Sequence, residues 1–359
     1  MYRQRGLSLI ELMISIVLGL VLMTGVMQMF LSSRTVFSTQ QGMSRIQENG
    51  RLAMEFISRD IRMAGYLGCT SRLGSEASNT LKDGDKFPYR MNIGLEGYKA
   101  PLPTGADMTL SPAPVAGTDV LVVRSAVGEG AVVSSNNTAS QVHAEAKQVA
   151  GACSGNTPSY SGICAGDIVV VSDCTKARIF QATGITASGT PPASGIVNIA
   201  MDHAAAGTPG NALASWSASG SVDMVFQPGA DVLPVKHIVY YIGVGTSGEP
   251  ALFQNINGAN PSLELLEGVE DMRLFYSRES SPTDYDTIAD LPAGIWSATT
   301  NPVVSVRVEL LMRSTDDGVL EEPQFFEFPL GTTPRKADPE DRRLRQVFTS
   351  TVGIRSRLP

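Results

Sequence analysis

Charge is what the stretch after Gly6 lacks. From Leu7 to Leu31 every residue is apolar, small or uncharged except Glu11, and a bilayer core needs about 20 apolar residues as helix. An ordinary secretory signal is excluded, because its apolar stretch is only about 7–15 residues long and ends at an A-x-A-like cleavage site, which is missing here. Proline is absent before Pro88, so nothing forces a break in a helix that continues beyond the apolar run. Positive charge is in deficit, with 28 Lys+Arg against 35 Asp+Glu and a formal charge of −7. An acidic chain has no electrostatic footprint for nucleic acid, so DNA or RNA binding by this chain alone is not expected. Histidine is scarce: His143, His203 and His237 are widely spaced, with no G-x-S-x-G nucleophile motif. Each is read as a surface or packed residue, and no enzyme activity is expected.

What is present starts with the lone carboxylate. An ionised group inside a bilayer costs about 2.5–3.5 kcal/mol on insertion scales, and such residues usually have an assigned partner. Arg3 and Arg5 precede Gly6 and favour a cytoplasmic N-terminus. A cut after Gly6 would leave a free amine on Leu7, one turn from Glu11 in the i, i+4 relation that lets opposite charges meet. The carboxylate then has two candidate partners, its own terminal ammonium or that of a neighbouring copy. Loss of Arg3 and Arg5 takes the formal charge from −7 to −9.

The segment Gly6-Leu7-Ser8-Leu9-Ile10-Glu11 resembles the class III leader junction of type IV pilins and type II secretion pseudopilins. The resemblance implies cleavage after Gly6 by a prepilin peptidase, N-methylation of Leu7, and an assembly role for Glu11. Leu7 departs from the phenylalanine most common at that position, which tolerates other apolar residues.

Past the apolar run the pattern becomes amphipathic. Val36, Met43, Ile46, Gly50, Ala53, Ile57 and Ile61 recur at threes and fours, with Arg34, Arg45, Glu48, Arg51, Glu55, Arg59 and Asp60 on the other faces. One helix from about Ser8 to Met63 would be roughly 85 Å long, and only its second half can pack on a globular domain. Gly65 is placed to supply a left-handed stop. Residues 70–117 read as a loop-dominated excursion. Short β-branched runs then follow at 118–126, 131–135, 166–174, 177–185 and 195–201, and again at 237–245, 250–258, 303–314, 323–330 and 345–355. In the 303–314 run, Val304, Val306, Val308, Leu310 and Met312 alternate with Ser305, Arg307, Glu309 and Arg313. Asp316-Asp317-Gly318 is read as a turn into the next strand, and 262–276 as either a strand pair or a short helix. Residues 136–160 and 202–232 show no recognisable pattern.

Several of these stretches, RDIRMAGYLGC (59–69), GTDVLVVR (117–124), the L-L-E-G-V run ending in Tyr276, Trp296, and DRRLRQVFTSTVGIRSR (341–357), resemble PilW-type minor pilins and, more distantly, J-type pseudopilins. The expected fold is α+β and pilin-like, a long N-terminal helix on a β-rich, largely antiparallel head. The expected division is leader 1–6, membrane or filament-core helix 7–31, amphipathic helix 32–65, and β-rich regions 66–232 and 233–359. The resemblance implies a minor pilin near the pilus tip, with prepilin peptidase, other minor pilins, the major pilin and a tip adhesin as partners. It further implies an inner-membrane stage with a periplasmic head. A type II pseudopilin and a membrane-tethered adhesive or DNA-binding module are the alternatives.

Cys69, Cys153, Cys164 and Cys174 all follow the membrane helix. An even count outside the cytoplasm favours two disulfides, with three connectivities open. Cys153–Cys164, which closes a Gly/Ser/Pro loop, and Cys69–Cys174, which ties the helix end to the sheet, are the preferred pairs. No C-x-x-C pair exists and the spacings fit no zinc finger. No metal or cofactor is expected. Gly243, Gly245 and Gly248 match G-x-G-x-x-G, but PALFQ follows where a dinucleotide site needs a helix, so a glycine-rich hairpin is expected. Asp284, Tyr285 and Asp286 are weighed as a calcium loop and read as a solvated one.

Overall fold

The computed structural model describes residues 8–69, 77–102, 109–188, 195–213, 215–216 and 225–357. One apolar helix, α1 (Leu9–Met63), leads into a large β-rich head with curled antiparallel sheets. Helix start and stop both follow local chemistry. Ser8 caps the N-terminus in a reciprocal capping box with Glu11. At the other end Gly65 takes φ 73°, a left-handed conformation that suits glycine, and donates its N–H to the Arg124 carbonyl at 2.9 Å.

The buried residues of α1 are Gly42, Ile46, Gly50, Ala53, Met54, Ile57, Ser58, Asp60 and Ile61. They form one stripe at helical spacing, so only the second half of the helix packs on the head. Two residues depart from the pattern read in the sequence. Val36 is exposed, because the head begins to cover the helix only further on, and Asp60 is buried although its charge placed it on a polar face.

The first sheet takes the chain in order. It comprises β1 (Ala77–Asn79), β2 (Leu95–Lys99), β3 (Asp119–Ala126), β4 (Ala131–Val133), β5 (Gln141–Val149), β6 (Ser159–Tyr160), β7 (Ile168–Asp173), β8 (Lys176–Gln181), β9 (Gly184–Ser188), β10 (Ile196–Asp202), β11 (Asp231–Val244), β12 (Pro250–Ile256) and β13 (Leu263–Glu267). The second holds β14 (Val269–Arg278), β15 (Ser281–Thr287), β16 (Val303–Arg313) and β19 (Arg345–Gly353) in the order β15-β14-β16-β19. A two-residue ladder joins β17 (Phe325–Phe326) to β18 (Arg335–Lys336).

Fourteen-residue β11 holds the first sheet together. Its first residues pair with β7 and β4, and its later ones with β3 and β12. The segment 262–276 is two strands rather than a helix, and the chain changes sheets between them at Gly268, φ 84°. The principal core joins Ile46, Ala53, Ile57 and Ile61 of α1 to Leu121, Tyr240, Leu274, Val306, Val308 and Leu310. A second cluster lies around Val142, Val169, Val171, Phe180 and Trp216.

Four sequence expectations are corrected. Glu309, assigned to the polar side of β16, is buried, because its Oε2 accepts the Leu330 N–H at 2.8 Å and its Oε1 lies 3.3 Å from Arg307 Nε. The 323–330 run forms strand only at Phe325–Phe326, between Pro323 and Pro329, whose rings supply no N–H for a ladder. Finally, β2 lies within the supposed loop excursion, and β5 within the region that seemed to lack a pattern.

Candidate assembly site

The helix tip and the seam between helix and head are the two places where this architecture bears on assembly. At the tip, Ser8 N–H donates to Glu11 Oε2 at 3.0 Å while Glu11 N–H donates to Ser8 Oγ at 3.3 Å. The lone carboxylate therefore points back toward the N-terminal end of the helix. Gly6 and Leu7, where cleavage and methylation are expected from the sequence, lie outside the described residues. From Leu9 to Leu31 the helix is long and apolar enough to cross a membrane, and its side chains are exposed. Among the described residues, none of the head covers them.

From Thr39 onward the same helix is fastened at intervals. Thr39 Oγ1 donates to the Val319 carbonyl at 3.0 Å, and Asn49 Nδ2 to the Glu267 carbonyl at 3.2 Å. Gly50 lies under the Phe348 ring so closely that a Cβ there would sit 2.5 Å from Cε2. Asp60 Oδ2 accepts the Tyr240 hydroxyl at 2.7 Å, and Gln254 Nε2 donates to that hydroxyl at 2.8 Å. Burial, followed by the Asp60 hydrogen bond, raises the Tyr240 hydroxyl well above its ordinary value, so it remains a donor. Ser356 Oγ closes the series on the Ala64 carbonyl at 2.8 Å. These contacts were missed in the sequence because a pattern of faces cannot distinguish an exposed Asp60 from one matched by a tyrosine 180 residues away.

Where the helix ends, a buried ion pair holds the turn. Arg124 Nη1 lies 2.6 Å from Glu96 Oε2, and its guanidinium also donates to the Ile93 and Phe87 carbonyls at 3.1 and 2.7 Å. Burial lowers the Arg124 pKa, against the opposing influence of Glu96. Beside it Gly94 and Gly65 touch, and a Cβ on Gly94 would fall 2.3 Å from the Gly65 Cα. The chain then reaches Cys69, which is bonded to Cys174 just beyond β7, while Cys153 is bonded to Cys164. An open cavity of about 580 Å³ at this end is lined by Arg62, Met63, Tyr66, Arg355 and Ser356, among others.

The other residues singled out in the sequence are not brought together. His203 is stacked on Trp216 with ring centroids 4.1 Å apart, and His237 is buried on β11. His143 sits on β5. Gly243, Gly245 and Gly248 belong to the β11–β12 hairpin, closed by Gly245 N–H donating to the Glu249 carbonyl at 2.8 Å. Asp284, Tyr285 and Asp286 lie on edge strand β15, where Asp286 is paired with Arg278 at 3.0 Å and the Tyr285 hydroxyl lies 3.0 Å from Ser305 Oγ. Asp316-Asp317-Gly318 does turn, with Gly318 at φ 70°, but into irregular chain rather than a long strand.

Two family models match the chain. Residues 239–356 match type IV pilus-assembly protein W, and residues 1–27 match the prokaryotic N-terminal methylation motif. In comparisons with curated proteins and with solved structures, nothing matches. The first match spans β16 and β19 and reaches Ser356, so it includes much of the surface on which the helix is fastened. The second includes Glu11 and most of the apolar run.

Proposed function

We propose that this type IV pilin-like protein, PilW-like over its C-terminal third, works as a minor pilin, a low-copy subunit that helps to start pilus assembly and stays near the tip. One observation carries the reading: a single helix is left bare through its apolar half and fastened to the head through its other half. A bare apolar half is stable only in lipid or among other apolar helices. A rigidly docked second half transmits the position of that helix to the head.

In this reading a prepilin peptidase removes residues 1–6 after Gly6, and Leu7 becomes the N-methylated terminus. The chain waits in the inner membrane with its N-terminus cytoplasmic and its head periplasmic. It then moves into the filament, where residues 7–31 pack among the helices of the major pilin and other minor pilins. Glu11 is neutralised by a terminal ammonium, which aligns the incoming subunit. The head, residues 66–359, is large for a subunit repeated along a filament, which supports a place at the tip, in contact with other minor pilins or a tip adhesin. The matching families are structural rather than catalytic, and the work of the protein is assembly.

The reading is tested with Glu11→Gln and Gly6→Val in the full chain. Glu11→Gln should insert normally yet enter pili about tenfold less, the effect of roughly 1.4 kcal/mol of lost alignment. Gly6→Val should retain the leader, seen as an unchanged precursor mass. Normal incorporation of Glu11→Gln, or a mature mass unaffected by Gly6→Val, overturns the proposal. Deletion that abolishes secretion but leaves pili intact would instead favour a type II pseudopilin.

A further inference from the structure

The two edges of the second sheet are built differently. Edge strand β15 carries Pro282, Asp284 and Asp286 within seven residues, devices that discourage another chain from pairing. The opposite edge, β19, has none of them. It is nine residues long, RQVFTSTVG, with no proline and no charge after Arg345, and Thr349 and Thr351 are exposed.

Its backbone direction follows from the bonds at its two ends. Ser314 N–H donates to the Leu344 carbonyl at 2.8 Å and Ile354 N–H to the Val304 carbonyl at 2.9 Å. By the alternation of an antiparallel ladder, even-numbered residues of β19 bond to β16 and odd-numbered ones turn their N–H and C=O outward. Arg345, the first odd residue, confirms the direction. Its N–H donates to Gln324 Oε1 at 2.7 Å, and its carbonyl accepts from Gln324 Nε2 at 3.0 Å. A side-chain amide thus makes the two bonds that a residue of an added strand would make. Beyond it, the outward groups of Val347, Thr349 and Thr351 have no such partner among the described residues.

We propose that the β19 edge at Val347–Thr351 accepts, as an added strand, an extended segment of a different pilin-class subunit. The inference rests on the assembly reading above. The edge lies beside the docked half of α1, which continues the half that reading gives to neighbours. β19 runs alongside the docked half of α1 in the same direction, since Phe348 meets Gly50 and Ser356 meets Ala64. A subunit whose helix packs parallel to the bare half of α1 has its head on the same side of the membrane as this edge. A second copy paired antiparallel through the same edge would be related by a two-fold axis across the strands, and its helix would point the opposite way. Two such chains could not insert into one membrane in the same orientation. Between the Gln324 cap and the turn at Arg355–Arg357 there is room for about five to seven extended residues. Main-chain bonds would hold such a segment, with uncharged β-branched side chains suited to positions opposite Thr349 and Thr351.

Thr349→Pro tests this directly, because it removes an outward N–H and leaves the ladder to β16 intact. The full-length chain, expressed in its host with Thr351→p-benzoylphenylalanine, is irradiated in assembled pili. The expected product is a crosslink to another subunit whose peptides identify a prepilin-type N-terminus. Thr349→Pro should reduce it about tenfold, Thr349→Lys several-fold, and Thr349→Val by less than about twofold. Thermal melting of each purified variant in detergent separates a lost partner from a lost fold. A crosslink undiminished by Thr349→Pro and Thr349→Lys, a crosslink to a second copy, or no crosslink from incorporated chain overturns the proposal. If Glu11→Gln blocks incorporation while neither edge variant alters the crosslink, the edge fails and the assembly reading stands. If Glu11→Gln incorporates normally, the assembly reading fails whatever the edge does.

Discussion

His203 and His237 are the residues whose protonation the fold most strongly opposes. Both ring nitrogens of each lie buried without a hydrogen-bond partner among the described residues. Burial pushes His203 down to about 4, and burial with the nearby Arg124 pushes His237 down to about 3. An unfolded histidine titrates near 6.5. The folded state therefore binds fewer protons than the unfolded one, and the stability contributed by keeping these rings neutral is complete above about pH 6.5 and falls as the pH drops toward 4 and then 3. Asp119, Asp167 and Asp271 act in the opposite sense, because burial raises their pKa values and favours their protonated forms in the fold. A difference experiment isolates the histidine. Between pH 7 and 4.5, His203→Phe should lose about 2 kcal/mol less stability than the parent chain, measured by denaturant midpoint in detergent. Equal losses would show that His203 is protonated in the folded state at little cost.

The docked half of α1 is governed by packing rather than helix propensity, and Gly50 shows the competition. Alanine there would gain about 1 kcal/mol in an isolated helix. Its Cβ would also press on the Phe348 ring of β19, which packs against the main core, and overpacking of that kind costs about 1–3 kcal/mol. Packing is expected to win: Gly50→Ala should lower stability by about 1 kcal/mol, and Phe348→Leu in the same chain should recover part of it, read from a double-mutant cycle of denaturation midpoints. A more stable Gly50→Ala would mean that the ring moves freely. Gly50 reads in the sequence as a weak point in the helix, whereas the structure makes it the place of closest approach. The helix itself and strand β16 were legible because periods of 3.6 and 2 are written in strong side chains. β5 was not, since its inward residues after Val142 are Ala144 and Ala146, which carry little β signal. The meaning of Asp60 and Glu309 was also hidden. A buried carboxylate is recognised by its partner, and Tyr240 and the Leu330 N–H are remote in sequence. The Glu11 tip was the most legible part, because a single charge in an apolar run needs no tertiary information to stand out.

For the whole molecule, the question is how force or position at the helix reaches the head. Hydrogen bonds and packing fasten α1 along one side, and Cys69–Cys174 then joins the chain just past the helix end to the chain just past β7, 105 residues on. Cys153–Cys164 closes only 11 residues of an outlying loop. In the chain-entropy account the longer closure is worth about 4.8 kcal/mol and the shorter about 2.8 kcal/mol. The pair Cys69→Ser with Cys174→Ser should therefore lower the unfolding free energy by about 2 kcal/mol more than Cys153→Ser with Cys164→Ser. The two losses should also differ in kind. Without the long closure, the chain just past Gly65 can separate from the end of β7 while the helix stays packed on β16 and β19, so protease cleavage near residue 69 should appear before global unfolding. Without the short closure, cleavage should be confined to the 153–164 loop. Equal stability losses and the same cleavage pattern in both variants would show that the long disulfide does no more than the short one, and that the hydrogen bonds along α1 are sufficient to hold helix and head together.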